Sequence, residues 1–291
     1  MIRDADSVPN GACLRPDVCV VGGGAAGIAL ALSLTGRGLQ VLLLEGGHAA
    51  HHAPTQSLYD GEVADERLHS PPDRYRQRRM GGSTTTWGGR CMPFDAIDFE
   101  TRTQVPDSGW PISLQDLLPF YPQANALAEA GRFSYDASEA LGETAPPMIR
   151  GFDSPLVRTN GLERFSCPTD FGRRYARRLK VAPDIDVLLG ANCTAIRLQP
   201  DGRAVRELEV ATLAGRRFSV AARACVLAIG GLETARLLLA SRDIAPAGVG
   251  NDHDVVGRYY MCHIAGNVGT LVVNGAPQNV RHGYEVTPEG I

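Results

Sequence analysis

The sequence predicts an α/β protein: a Rossmann-like parallel sheet that carries an inserted antiparallel β-meander. Three observations carry that prediction. From Asp17 to Gly47 the chain reads as strand, glycine-rich turn, helix and strand. Between Ile185 and Ala222, short alternating apolar segments are punctuated by Pro200-Asp201-Gly202 and Ala214-Gly215, the pattern of a meander. Ala224 to Ile229 is then a continuous apolar run, as in a strand buried on both faces, and after Gly230-Gly231 the stretch LETARLLLAS reads as a helix.

The first element is a buried strand, Val18 to Val21, entering a turn with Gly22, Gly24 and Gly27 in G-x-G-x-x-G spacing. Gly22 permits the tight turn, Gly24 lets the backbone approach a pyrophosphate, and Gly27 lets the following helix pack closely on the strand. The N-terminus of that helix offers free N–H groups and a partial positive charge to phosphate. The second strand, Gln40 to Leu44, ends at Glu45, where a carboxylate can accept hydrogen bonds from the ribose hydroxyls of an adenosine. Strand, triplet, helix, strand and acid in that order point to a dinucleotide site.

At 291 residues, 44% hydrophobic and 21% charged, the chain is long enough for about two globular domains. A net charge of −3 gives no reason to expect nucleic acid as a partner. Seven cysteines are scattered without a C-x-x-C pair, so neither a zinc site nor a disulfide framework is indicated. Cys19 and Cys225 lie within apolar strands and read as small buried hydrophobes. Acidic residues precede the apolar run from Val18 to Leu34 and glycines interrupt it. It therefore reads as core rather than a signal peptide or membrane span, and the protein as cytoplasmic with no membrane partner.

Residues 1–16 are polar, with Pro9, Gly11 and Pro16, and read as a loosely held lead-in. After Glu45 comes a loop with His48, His51, His52 and Pro54; a loop fixes no ligand geometry, so solvated histidines are expected and no metal. Gly81-Gly82 followed by Ser83, Thr84, Thr85 and Thr86 is suited to lie against a phosphate or flat ring, or is simply a Ser/Thr-rich turn beside a buried Trp87. Composition alone favours the turn. Arg74, Arg76, Arg78 and Arg79 either steer an anionic ligand or form a solvated face, the commoner case. A helix is predicted from Ser113, with Ser113 and Asp116 as a capping box, Leu114, Leu117, Leu118 and Tyr121 on its apolar side, and Pro119 and Pro122 dividing it. Another, Phe171 to Leu179, carries Arg173, Arg174, Arg177 and Arg178 outward. A meander placed before the return strand argues against a plain NAD-dependent Rossmann domain and suits FAD lying extended across the sheet. Near the end, an apolar strand from Gly269 to Val273 and a turn at Asn274-Gly275 read as the start of an antiparallel domain that is incomplete at Ile291.

Four separated features carry a family resemblance: VVGGGAAG with Glu45; RRMGGSTTTWGG with DAIDFETR and SGWPISLQDLLPFY; CVLAIGGLETARLLLAS; and VGRYYMCH. Together they resemble the N-terminal half of a GMC (glucose-methanol-choline) FAD-dependent oxidoreductase. The resemblance covers most of Asp17 to His263, and GWPIS followed by LLPFY is similar to the bacterial, pyranose-oxidase-like branch. It implies an FAD-binding domain over residues 17–262 and the beginning of a substrate domain at 263–291. It also implies that Gly22, Gly24 and Gly27 contact the pyrophosphate and Glu45 the ribose. Gly82, Ser83 and Thr84 would border the flavin side, and the backbone of Cys193 would lie where such proteins hold adenine. Thr86 stands where some relatives attach FAD through a histidine, which implies noncovalent FAD. His263 matches a histidine at the start of the family's substrate domain and reads as structural.

By the same resemblance, an alcohol or sugar C–H delivers hydride to flavin N5 while a C-terminal histidine takes the hydroxyl proton. No motif here matches that histidine, so the catalytic base is expected beyond Ile291. The chain is expected to be the FAD-binding part of such an enzyme, or else of one completed by a second polypeptide, or a remnant without turnover. A two-nucleotide NAD(P)H reductase is disfavoured, because no second G-x-G-x-x-G follows a strand. Substrate identity and electron acceptor are left open.

Overall fold

The computed structural model describes residues 1–142, 147–263, 266, 267, 269, 270, 272, 276–281, 283, 284 and 286. In chain order the strands are β1 (Ile2–Asp4), β2 (Cys13–Leu14), β3 (Val18–Val21), β4 (Val41–Glu45), β5 (Arg90–Cys91), β6 (Arg164–Phe165), β7 (Ile185–Leu189), β8 (Asn192–Leu198), β9 (Val205–Ala211), β10 (Arg217–Val220) and β11 (Ala224–Leu227). The α-helices are α1 (Ala25–Ser33), α2 (Ala53–Gln56), α3 (Leu114–Leu117), α4 (Tyr121–Ala128), α5 (Ala137–Leu141), α6 (Phe171–Val181) and α7 (Gly231–Ala240). Two compact units result: Met1–Trp87 with Asp170–Tyr260, and Gly88–Thr169 with Met261–Ile291.

The first unit is built on a five-stranded parallel sheet in the order β1-β7-β4-β3-β11. β4, VLLLE, is its middle strand, and every one of its residues is buried. A strand flanked on both edges and covered on both faces must be apolar along its whole length, and the sequence of β4 is apolar up to the terminal Glu45. β11 carries the same kind of run, yet it is the edge strand and only half-buried. The expectation of full burial there is overturned, because among the described residues β3 is its one neighbour in the sheet.

The second sheet has the order β2-β10-β9-β8, with β8, β9 and β10 antiparallel and β2 parallel to β10. Its turns fall at Gly202 (φ 71°) and Gly215 (φ 89°), the two turns expected from the sequence. The meander thus spans β8 to β10. Ile185–Leu189, expected at its head, instead pairs in parallel with β4. The core lies between the sheets, with Cys19, Val21, Leu42, Leu44 and Leu188 of the parallel sheet facing Ile196, Leu198, Leu208, Val210, Phe218 and Val220 of the meander. Period-2 alternation sends Val20 and Leu43 the other way, and α1 and α6 pack over that face. On α6, Phe171, Tyr175 and Leu179 are buried while Arg173, Arg174, Arg177 and Arg178 are exposed, as the sequence predicts.

Residues 1–16 are not a loose lead-in. Ile2, Arg3 and Asp4 pair with Val187, Leu188 and Leu189, Cys13 and Leu14 pair with Ser219 and Val220, and Ala5 and Val8 are fully buried in the core. The segment is polar because each of its strands is short and lies at a sheet edge, so few of its side chains face inward.

In the second unit, β5 and β6 form an antiparallel pair. α3 is capped by the predicted Ser113–Asp116 box, a 3₁₀ turn follows at Leu118–Phe120, and α4 begins at Tyr121, so the prolines divide the helix as expected. His263, read as a structural histidine, is exposed. Of the expected strand 269–273 and its turn, residues 271 and 273–275 lie outside the described residues.

Candidate cofactor-binding site

The carboxyl ends of β3, β4 and β11 and the start of β8 open on a cavity of about 580 Å³ within the first unit. That is the end of a parallel sheet at which ligands bind, because the loops there are free to diverge. Among the lining residues are Gly22, Gly24, Glu45, Gly82, Ser83, Cys193 and Gly230.

Each glycine of the triplet has a separate reason to lack a side chain. Gly22 has φ 108°, and a Cβ on it would stand 2.4 Å from the Ala228 carbonyl oxygen. A Cβ on Gly27 would stand 1.8 Å from the Gly22 carbonyl oxygen, so this glycine seats α1 against the turn. Gly24, the residue before α1, has no atom within 4 Å of its Cβ position. It lines the cavity, so nothing in the protein requires a glycine there, whereas a ligand approaching the first amides of α1 would.

Glu45 is buried, and both its oxygens hold backbone: Oε2 accepts from the Gly23 amide at 2.7 Å and Oε1 from the Gly47 amide at 2.6 Å. The carboxylate therefore braces the two glycine turns that form the cavity floor. Each oxygen keeps a further lone pair that can accept another hydrogen bond.

The hydroxyl-rich loop touches the first turn directly. The Gly81 amide donates to the Gly23 carbonyl at 2.7 Å, and a Cβ on Gly82 would stand 3.1 Å from Gly24 Cα. Thr84 is outside the lining: its hydroxyl donates to the Gly81 carbonyl at 2.6 Å and accepts from the Phe171 amide at 3.1 Å, bracing the loop on α6. Gly27 likewise acts through packing rather than from the wall. Cys193 is in the wall, beside a register shift between Cys193 and Ala195 that interrupts the β8–β9 ladder. Burial first, and then the neighbouring Cys225, pushes its thiol up to about 12, so it is no nucleophile at neutral pH.

The sequence reading missed a further part of the wall, formed by Tyr59, Arg76, Arg78, Asn192 and Glu233. Arg76 and Arg78 are 16% and 13% exposed, so a solvated arginine face is wrong for these two, though right for Arg74. Their guanidiniums lie 4.1 and 5.0 Å from the Tyr59 ring centroid. Burial raises the Tyr59 phenol, although Arg78 pulls the other way. The available signal was the i, i+2 spacing of Arg76 and Arg78, which would put both side chains on one side of an extended segment.

Two features fit a dinucleotide with its negative diphosphate. One is the open space at Gly24. The other is Arg78 Nε, a buried donor without a hydrogen-bond partner. Among the described residues no group of three or more His, Cys, Asp or Glu is arranged to hold a metal ion, and no helix is long and apolar enough to cross a membrane.

Comparison with known proteins adds the following. A family profile described as pyridine nucleotide-disulphide oxidoreductase matches residues 16–251. The chain is 29% identical over 300 residues to a 6'''-hydroxyparomomycin C oxidase of Streptomyces lividus, covering 83% of this chain and 53% of that one. It is 25% identical over 320 residues to a 2-methyl-1,2-propanediol dehydrogenase of Mycolicibacterium austroafricanum, covering 89% and 57%. It thus spans about half the length of the curated relatives it matches. Among solved structures, a formate oxidase of Aspergillus oryzae superimposes with a TM-score of 0.47 at 17% identity, over 80% of this chain and 48% of that one.

Proposed function

The chain belongs to the pyridine nucleotide-disulphide oxidoreductase family over residues 16–251 and is a GMC-type FAD flavoprotein, and on that premise we propose that it is the FAD-binding part of an enzyme that oxidises an alcohol or sugar hydroxyl. The observation that carries the reading is the cavity at the carboxyl end of the parallel sheet. It is walled by the glycine turn, Glu45, the Gly82-Ser83 loop and the Cys193 bulge, all within one unit.

In this reading the α1 amides and Gly24 receive the diphosphate, Glu45 accepts from the ribose hydroxyls, and the Cys193 backbone borders the adenine. Gly82 and Ser83 border the opposite, flavin side, with Thr84 holding their loop in place. Bound FAD would supply the acceptor for hydride from a carbinol carbon. No described residue is assigned as the general base; we place that group outside this chain's site. The FAD is noncovalent, since Thr86 offers no imidazole for attachment. Within the GMC type the sequence sits nearest the pyranose-oxidase-like branch, on GWPIS and LLPFY.

The test is direct. Purified chain reconstituted with FAD should show a flavin spectrum that persists through gel filtration, and acid precipitation should release the flavin. A flavin retained on the precipitated polypeptide contradicts noncovalent binding, and failure to retain FAD at all contradicts the reading. The family description favours a second reading, a flavoprotein reduced by a pyridine nucleotide. Rapid anaerobic bleaching by NADPH, with none by alcohols or sugars, would select it.

A further inference from the structure

Glu233 sits in the first turn of α7 with its side chain 7% exposed. Its Oε1 accepts from Arg76 at 2.9 Å, and its Oε2 faces Arg236 at 2.5 Å and Arg78 at 3.6 Å. Three guanidiniums thus share one carboxylate. The other carboxylate of the cavity, Glu45, accepts from the Gly23 and Gly47 amides. Arg78 also donates to Asn192 Oδ1 at 2.8 Å, while its Nε stays unpartnered in the wall. The guanidinium packs so closely on Gly46 that a Cβ there would stand 2.6 Å from its nitrogen. Arg78 is therefore fixed beside the strand end that carries Glu45.

Buried guanidiniums are costly unless each is paired and hydrogen-bonded. Arg76 and Arg78 are paired with Glu233, the exposed Arg236 adds a third cation, and all four side chains line the cavity that also holds the glycine turn. Glu233 is a poor candidate for a mere charge balance. As a negative group in an anion site it would repel the ligand, and an apolar residue would leave the site more attractive to phosphate. Its geometric role is the distinctive one, since it ties Arg76 and Arg78, which otherwise repel each other, into one fixed pair over Tyr59.

We propose that Glu233 is a positioning residue that orients Arg76 and Arg78 as a second recognition element for the diphosphate of an adenosine dinucleotide, in the same cavity as the glycine turn. The ligand class rests on the FAD reading above, but the test separates the two. The purified chain and its Glu233→Gln and Glu233→Asp variants are titrated with ADP and with adenosine by calorimetry, each variant's folding being checked by its melting curve. Gln removes the charge, whereas Asp keeps it and withdraws it by one methylene. Positioning predicts that both variants weaken ADP binding by about tenfold or more, the range for losing a charge-assisted hydrogen bond, with adenosine affinity unchanged.

Three results overturn the proposal. Tighter or unaltered ADP binding by Glu233→Gln would make Glu233 only a source of repulsion. Parallel loss of adenosine and ADP would make it a general support of the fold. Failure of the parent chain to bind ADP would mean that there is no diphosphate site. If the Gln variant does not fold, the Asp variant decides on the same criteria. A parent chain that binds ADP but not FAD would sink the FAD reading and leave this inference standing.

Discussion

Replacing Gly24 by Ala separates what the fold needs from what the ligand needs. Gly24 has φ −80° and ψ −170°, a region open to alanine, and its Cβ would meet no atom within 4 Å. The fold should lose only the difference between glycine and alanine at a helix N-cap, below about 1 kcal/mol. For a chain of this size that lowers the melting temperature by at most about 4 °C. The ligand faces a different situation. The new methyl stands in open space at the start of α1, where Gly24 lines the cavity, and a diphosphate held away from the α1 amides by about 1 Å would lose short charge-assisted bonds to them. Two such bonds at about 1.5–3 kcal/mol each correspond to at least about a hundredfold in affinity. Calorimetric titration with ADP and FAD, beside a thermal melt of the same sample, measures both terms. A Gly24→Ala protein that melts like the parent and binds ADP like the parent would refute a diphosphate seat at this turn.

Gly27→Ala should give the opposite division, because its Cβ must displace the Gly22 backbone 1.8 Å away; a loss of about 3 kcal/mol or more, seen as a large drop in melting temperature, is expected. Val8→Asp puts an unpaired carboxylate at a position that is 1% exposed, and should cost about 3–4 kcal/mol, or roughly 10 °C. A neutral result there would mean that the N-terminal segment is dispensable. Alkylation at about pH 8, followed by mass spectrometry, should modify the exposed Cys13, Cys167 and Cys262 rapidly, with Cys19 and Cys193 protected until denaturant is added, since burial raises both thiols. The Cys193 thiol also sets a pH dependence. Its pKa in the folded chain, about 12, lies above the ordinary 9.0, so its stabilising contribution is complete below pH 9 and is lost as pH rises toward 12. Cys193→Ala should therefore flatten the alkaline decline of the melting temperature, and an unchanged slope would argue against a buried thiol.

What the sequence determined by itself was everything that depends on neighbours along the chain. The βαβ start, the Gly22-Gly24-Gly27 spacing, the acid at Glu45, the turns at Gly202 and Gly215 and the Ser113 cap are local patterns, and each appears where the spacing put it. The edge position of β11, the recruitment of residues 2–4 and 13–14 into the sheets, and the transfer of Ile185–Leu189 from the meander to the parallel sheet were decided by pairing between distant segments. A strand's composition records its fit to a pleated, partly buried surface, and carries little about which strand lies beside it. The same limit applies to the cavity. Its glycine floor was legible because a turn demands glycine locally. The wall of Tyr59, Arg76, Arg78 and Glu233 joins residues as far as 174 positions apart, counted from Tyr59 to Glu233, and only folding brings their charges together.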